Sequence, residues 1–144
     1  MHYNFRKAKK EAEMANVDIE KVVKEIFDEV RESIAVSIVR LEDGMDISSH
    51  STMEDFDPTV ASAAYASVIK SHFEAVELIG PKLVGETEDI LFTMENIYIL
   101  LRLIGEKHFI IIAITKKGNL SLARVQMKKY EPLFVQALKE LGEL

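Results

Sequence analysis

The sequence predicts an α+β domain with one five-stranded antiparallel sheet flanked by helices, in the order α-β-β-α-β-β-β-α after an extra N-terminal helix. Three observations predict this fold class. Residues 89–115 contain the two most apolar runs of the chain and a shorter alternating run, separated by turn signals, which is typical of three hairpin-connected strands. Residues 34–51 predict two more strands around an Asp-Gly turn. Segments of helical periodicity stand before, between and after these strand groups.

The composition is that of one ordinary globular domain. The chain has 144 residues, of which 48% are hydrophobic and 29% charged. The absence of cysteine excludes disulfides and thiolate zinc sites, and the net charge of −6 argues against a nucleic-acid partner. No apolar run approaches the roughly 20 residues that cross a bilayer, so we expect no membrane insertion. No apolar signal core follows the basic start, and we expect a cytoplasmic protein.

The N-terminal residues are predicted to form a separate element. Residues 4–15 show a thin apolar stripe that indicates a helix. We therefore divide the chain into an N-terminal helical extension, residues 1–17, and a domain over residues 18–144. The basic cluster Arg6, Lys7, Lys9 and Lys10 is interpreted as a solvated helix face, with a membrane surface or an acidic partner as the alternative.

The domain is predicted to begin with a helix that covers one face of the sheet. Asp18 is a good N-cap, and the apolar residues after it recur at helical spacing as far as Val30. Residues 34–41 form the first strand, and Asp43-Gly44 favours a type I′ hairpin turn. The return strand, residues 45–51, is short and polar, as befits an edge strand facing water.

The middle helix has strong boundary signals and an unusual surface. Asp57-Pro58 begins it and Gly80-Pro81 ends it after about 22 residues. Residues 60–69 contain no charged side chain, so this part has no solvated face and must be covered all round. Its own chain could cover it, but we favour a second copy, because small residues let two helices approach closely.

The last four elements follow from residues 89–141. Residues 90–94 alternate, residues 97–104 return, and residues 109–114 are apolar throughout, which predicts the centre of the sheet. Asn119 can cap a final helix, in which Pro132 either causes a kink or starts a second helix. The predicted buried face of that helix comprises Leu120, Ala123, Met127, Tyr130, Phe134, Ala137, Leu138 and Leu141.

No motif in the chain indicates catalysis, a cofactor or a metal. The six glycines are scattered, so no phosphate-cradling loop occurs. Glu54, Asp55 and Asp57 could bind a cation, although helix capping explains Asp57 better. Arg102 could bind an anion, or extend to solvent from its strand. The histidines never stand at the i, i+3 or i, i+4 spacing of a helical metal site; they are His2, His50, His72 and His108, and the last is interpreted as a polar strand end.

Four segments resemble the Roadblock/LC7 family, which includes dynein light chains, lysosomal scaffold dimers and MglB-like regulators of Ras-like small GTPases. The segments are IAVSIVRLEDGMDISS, VASAAYAS, ETEDILFTMENIYILLRLIGEKHFIIIAIT and NLSLAR, whose Arg124 stands where the family often has arginine. Family members commonly have glycines just before and within the first strand, where this chain has Glu32, Ser33 and Ser37.

The resemblance implies a homodimer that pairs the middle helix and the first strand of residues 89–115. The implied interface residues are Ala61, Ala64, Tyr65, Val68 and Ile69 on the helix, and Leu91, Phe92 and Thr93 on the strand. It also implies a non-enzymatic regulatory or scaffold module that binds a Ras-like small GTPase. No arginine can be named as an arginine finger.

Two other functions remain open at this stage. One is a small-molecule-binding sensor that holds an apolar ligand between sheet and helices. The other is a small enzyme with a dispersed site that involves His50, His72 and His108.

Overall fold

The computed structural model describes residues 17–55 and 57–144 and confirms the predicted fold class. The helix predicted for residues 4–15 and the basic cluster lie outside the described residues. The elements are α1 (Ile19–Glu29), β1 (Ser33–Arg40), β2 (Asp46–Ser51), α2 (Pro58–Ile79), α3 (Pro81–Val84), β3 (Asp89–Thr93), β4 (Ile97–Ile104), β5 (His108–Thr115) and α4 (Leu120–Glu140). The single-turn helix α3 was not predicted.

The five strands form one antiparallel sheet in the order β2-β1-β5-β4-β3. β5 is central, as its uninterrupted apolar sequence predicts, and every residue from His108 to Ile114 is buried. β2 and β3 are the two edges. β2 is polar, whereas β3 has the sequence Asp-Ile-Leu-Phe-Thr.

Helices cover both faces of the sheet, but unequally. α1 and α4 lie side by side on one face, where Ile26, Phe134 and Leu138 are completely buried against Ile38 and Ile112. Of the long helices in residues 17–55 and 57–144, α2 alone lies on the opposite face, and Ala66 and Ile69 pack there against the sheet. Among these helices the second face therefore has one where the first has two.

Side-chain caps begin the three long helices as predicted. The carboxylates of Asp18 and Asp57 each accept a backbone N–H two residues later at 3.0 Å, and the Asn119 side chain accepts Leu122 N–H at 3.0 Å. Of Glu54, Asp55 and Asp57, which the sequence analysis considered as a cation site, Asp57 is therefore a helix cap.

The β1–β2 connection differs from the predicted type I′ turn. That turn needs positive φ at two successive residues, but only Gly44 has positive φ, at 70°, and the loop spans residues 41–45. Gly44 lies directly against α2, since a Cβ built on it would stand 2.9 Å from the Ala63 Cα. The β1–β2 loop is thus in direct contact with α2 at Gly44, where a side chain would not fit.

Glu32 adopts the backbone conformation of a glycine. Its φ is 68°, in the left-handed region that L side chains rarely occupy. This is the position before the first strand where glycine is common in the family that the sequence resembles. The Glu32 carboxylate accepts the Thr115 hydroxyl at 2.6 Å, and its carbonyl accepts Thr115 N–H at 3.0 Å.

α4 is a single helix that continues through Pro132. The middle of its predicted buried face is confirmed, from Ala123 to Leu138, and Gln126 is buried as well. At the two ends, Leu120 is half-buried, and Leu141 is the C-cap and 54% exposed. Beyond it, the Glu143 carboxylate forms an ion pair with Arg40 and lies 2.9 Å from His108 Nε2. His108 begins β5 as predicted, but it is buried and not a solvent-facing strand end. Its imidazole contacts the Glu143 carboxylate instead.

Within residues 17–55 and 57–144, no helix is both long enough and apolar enough to cross a membrane.

Candidate interaction surface

Helix α2 presents most of its surface away from the sheet. Of its 22 residues, only Ser62, Ala66 and Ile69 are buried. These residues recur at spacings of four and three, which defines the sheet-facing side of the helix. The described residues thus leave the rest of this weakly charged helix without cover.

One side of α2 is uncharged along its entire length. The residues of this side recur every three or four positions, and all are exposed or half-buried: Ala61, Ala64, Tyr65, Val68, His72, Ala75 and Ile79. We call this set the α2 stripe. Because 22 helical residues span about 33 Å, the stripe is long enough to be an extended contact surface.

The charges of α2 lie on another side of the helix. Lys70, Glu74 and Glu77 follow at spacings of four and three, which separates them from the α2 stripe. The Lys70 ammonium donates to the Glu42 carbonyl at 2.7 Å and so marks the side near the β1–β2 turn. The sequence analysis did not identify this separation, although the spacing of the three charges could have been counted in the sequence.

The α2 stripe borders the open edge of the sheet at β3. The Tyr65 and Phe92 rings lie 5.2 Å apart between centroids, tilted by 54°. Burial raises the pKa of the Tyr65 phenol. Further along the helix, His72 Nε2 lies 2.8 Å from the Thr87 hydroxyl, two residues before β3 begins. The stripe and the edge strand therefore form one continuous surface.

The structure distributes the eight implied interface residues over four environments. Ala64, Val68 and Thr93 are exposed, and Ala61, Tyr65 and Phe92 are half-buried on the side shared by α2 and β3. Ile69 is completely buried within its own chain and fixes α2 on the sheet. Leu91 points to the opposite face of the sheet, where it packs against the core under α1 and α4.

An ion pair fixes the start of the edge strand. The Arg124 guanidinium, on α4, donates to both carboxylate oxygens of Asp89, at 2.9 and 3.2 Å. Asp89 pairs with Arg102 in the β3–β4 ladder, and Arg102 in turn forms an ion pair with Glu131 on α4 at 3.0 Å. Arg102 is thus neither a free anion-binding residue nor a solvent-facing one. Both arginines hold β3 and β4 against α4.

The remaining chemical candidates do not converge. The His50 ring packs edge-on against Phe27, with 4.4 Å between centroids, while His72 and His108 lie on other elements. No group of three or more His, Cys, Asp or Glu side chains within the described part of the chain could hold a metal ion.

A cavity of about 810 Å³ lies beside α1, on the other side of the molecule from α2. Its lining includes Asp18, Glu20, Lys21, Lys24 and Glu25 together with Ser48, Ser49 and His50 of β2. A charged groove of this kind is unlike the mostly apolar pocket that an apolar small-molecule ligand would require.

Comparison with solved structures identifies the fold. A Roadblock/LC7 domain from Streptomyces avermitilis aligns with 88% of this chain and 99% of its own, at 11% identity and a TM-score of 0.71. MglB of Myxococcus xanthus aligns over 88% and 95%, at 17% identity and a TM-score of 0.70. An MglB structure with a tetrameric arrangement aligns over 83% and 87%, at 14% identity and a TM-score of 0.67. No family model and no curated protein matches the sequence. The chain has the Roadblock/LC7 fold.

Proposed function

We propose, from this fold and surface, that the chain is a non-enzymatic homodimeric module that binds a Ras-like small GTPase and regulates or localises it. The observation that carries the homodimer is the uncharged α2 stripe beside the open edge of β3. An exposed surface without charge over a whole helix is costly in water, and such patches mark protein interfaces.

A second copy of the chain fits this surface by symmetry. In a two-fold dimer the same surface patch meets itself. With the two-fold axis perpendicular to the sheet, two β3 edges would run antiparallel in one continuous sheet, and the two α2 helices would also run antiparallel. The helix is complementary to itself in that orientation. Its first half offers the small residues Ala61 and Ala64, and its last turn offers the larger Ile79, so each end of one helix fits the opposite end of the other.

The GTPase is proposed on different grounds. The sequence resembles a family whose members regulate Ras-like GTPases, and two of the solved structures of the same fold are MglB proteins. A binding module needs no catalytic group, which agrees with the scattered histidines and with the lack of phosphate-binding motifs in the sequence. Regulation of the nucleotide cycle and simple tethering are both compatible with this proposal.

Sedimentation equilibrium tests the homodimer. The wild type is expected at twice its 16.3 kDa chain mass. Val68→Glu places a charge in the α2 stripe and should yield monomers, because an unpaired charge in an apolar interface is strongly unfavourable. Leu133→Glu on α4 is the matched control, since Val68 and Leu133 are both 39% exposed. A monomeric wild type, or a dimer that tolerates Val68→Glu, would contradict the proposed interface.

Cysteine cross-linking tests the orientation of the helices, because the natural chain contains no cysteine. Antiparallel α2 helices predict a disulfide between an Ala61→Cys chain and an Ile79→Cys chain in a mixture, and little within either variant alone. A parallel pair would give the reverse result. Cross-linking at neither combination, in a protein that sediments as a dimer, would contradict a helix pair in which Ala61 lies opposite Ile79.

Nucleotide-dependent binding tests the GTPase. The full chain is titrated against each Ras-like GTPase of its source organism, loaded with GDP or with a non-hydrolysable GTP analogue. We expect one GTPase to bind with a clear preference for one nucleotide state. If no GTPase distinguishes itself by binding the chain differently in its GDP and GTP-analogue states, this part of the proposal is refuted and the proposed dimer is unaffected.

A further inference from the structure

The connection between α2 and β3 carries an exposed apolar projection that the α2 stripe does not include. It consists of Leu78, Leu83 and Val84, which are 88%, 80% and 47% exposed, and we call it the α3 tip. Leu78 and Leu83 are the two most exposed large hydrophobic side chains in the described part of the chain. Large aliphatic side chains this exposed, and this close along the chain, indicate a contact surface.

The α3 tip is held in a fixed shape. Gly80 and Gly85, on either side of α3, have φ values of 121° and 75°, which only glycine adopts readily. Three backbone hydrogen bonds close the turn: Leu83 and Val84 N–H donate to the Gly80 carbonyl at 3.0 and 3.2 Å, and Gly85 N–H donates to the Pro81 carbonyl at 2.9 Å. A preformed projection loses little entropy when it binds.

The charges around the α3 tip limit what can bind to it. Residues 74–88 contain four exposed glutamates, Glu74, Glu77, Glu86 and Glu88, and a single lysine, Lys82. An anionic membrane surface would repel this border, and a second α3 tip would bring like charges together. The complementary surface is an apolar groove bordered by lysine and arginine.

We propose that the α3 tip is a docking site for the GTPase, which inserts Leu78 and Leu83 into an apolar groove with a basic border on that protein. This inference rests on the proposed function, because it takes the GTPase as the partner. It assigns self-association and partner binding to different sides of α2: the α2 stripe, which ends at Ile79, makes the dimer, and Leu78 together with Leu83 of α3 contacts the GTPase.

The test compares the wild type with the double variant Leu78→Ser/Leu83→Ser in the titration against the GTPase. Because both side chains are at least four-fifths exposed, the variant should fold and dimerise normally. We expect its affinity for the GTPase to fall at least about tenfold. A second variant, Glu74→Lys/Glu77→Lys, should slow association, and higher salt should slow association of the wild type.

Each other outcome has a defined meaning. If the wild type binds a GTPase and the double serine variant binds it equally well, the α3 tip is not the docking site, although the proposed function stands. If the double serine variant loses its dimer in sedimentation, the tip belongs to the interface between copies and the inference is wrong. Wild-type binding to phosphatidylglycerol vesicles that the variant lacks would assign the tip to a membrane. If the wild type binds no GTPase, the proposed function and this inference fail together.

Discussion

The clamp formed by Glu143 after α4 gives a prediction that can be worked from the structure. The Arg40 guanidinium donates to both Glu143 carboxylate oxygens, its Nη1 donates to Asp43 at 2.8 Å, and the His108 ring contacts Glu143 at 2.9 Å. The bonds from Arg40, and then that from His108, lower the pKa of Glu143 from 4.5 to about 2. Glu143→Gln keeps the shape of this side chain and removes its charge.

The size of the effect follows from the pKa of Glu143. A shift of this size corresponds to at most about 3 kcal/mol of stability, at 1.36 kcal/mol for each unit of pKa. The Arg40 side chain is still 29% exposed, so solvent screens the pair. We therefore expect Glu143→Gln to lower the free energy of unfolding at pH 7 by about 1–2 kcal/mol, and Tm by about 3–6 °C.

The pH dependence gives the prediction its sign. A carboxylate whose folded pKa is lowered stabilises the folded state above its unfolded pKa, here 4.5, and this stabilisation disappears as pH falls towards 2. The difference between wild type and Glu143→Gln should thus shrink at pH 3 to less than half of its value at pH 7.

The assay is urea unfolding at pH 7 and pH 3, at one fixed protein concentration, since self-association shifts apparent stability. Glu106→Gln is the matched control, because Glu106 and Glu143 both line a cavity of about 520 Å³ beside Arg40, and Glu106 is exposed. A Glu143→Gln variant that is as stable as the wild type at pH 7, or equally destabilised at both pH values, would show that the charge of Glu143 does not stabilise the fold.

Two further predictions concern packing. Gly44→Ala should lower the free energy of unfolding by about 2–4 kcal/mol, because alanine would be strained in the left-handed conformation and its Cβ would lie 2.9 Å from the Ala63 Cα. Gly105→Ala is the control, because Gly105 has a similar φ of 67° but open space around it. It should lower the free energy of unfolding by about 1 kcal/mol in the same urea titration. Leu138→Ala should cost about 2–5 kcal/mol and Leu141→Ala less than about 1, because Leu138 is completely buried and Leu141 is 54% exposed; equal thermal shifts would contradict this division of α4.

The sequence predicted most of the fold because the relevant signals are local. The apolar residues of β5 and the caps Asp18, Asp57 and Asn119 each act within one element or its first turn, and all were confirmed. The errors arise where tertiary packing overrides a local preference. Asp43-Gly44 is a favourable pair for a type I′ turn, but the loop spans residues 41–45 and Gly44 packs directly against Ala63 of α2.

The positions of polar residues in the core were harder to predict, because they depend on partners distant in sequence. Arg102 looked like an isolated charge in an apolar strand, and only the fold brings Glu131 of α4 to it. His108 and Arg40 likewise need Glu143, which is 35 residues from the first and 103 from the second. Local periodicity carries no information about such pairs. Glu32 is different, because its φ of 68° is one that glycine adopts readily, and the sequence analysis had noted glycine as common at this position in the family without inferring the backbone conformation.

The first half of the α2 stripe could be predicted from the sequence. Its continuation along the second half of α2 was recognised only in the structure, and it changes which partner the surface fits. The uncharged segment of residues 60–69 was visible in the sequence, but the side of the helix on which the following charges lie was not worked out there. In the structure Lys70, Glu74 and Glu77 occupy a different side of α2, so the uncharged surface continues through His72 and Ala75 to Ile79. A patch confined to the first half of α2 could contact many kinds of protein. A surface that runs the length of the helix, with small residues at one end and a large residue at the other, is suited to an antiparallel copy of itself, and this is why cross-linking between Ala61→Cys and Ile79→Cys is the sharpest test of the dimer.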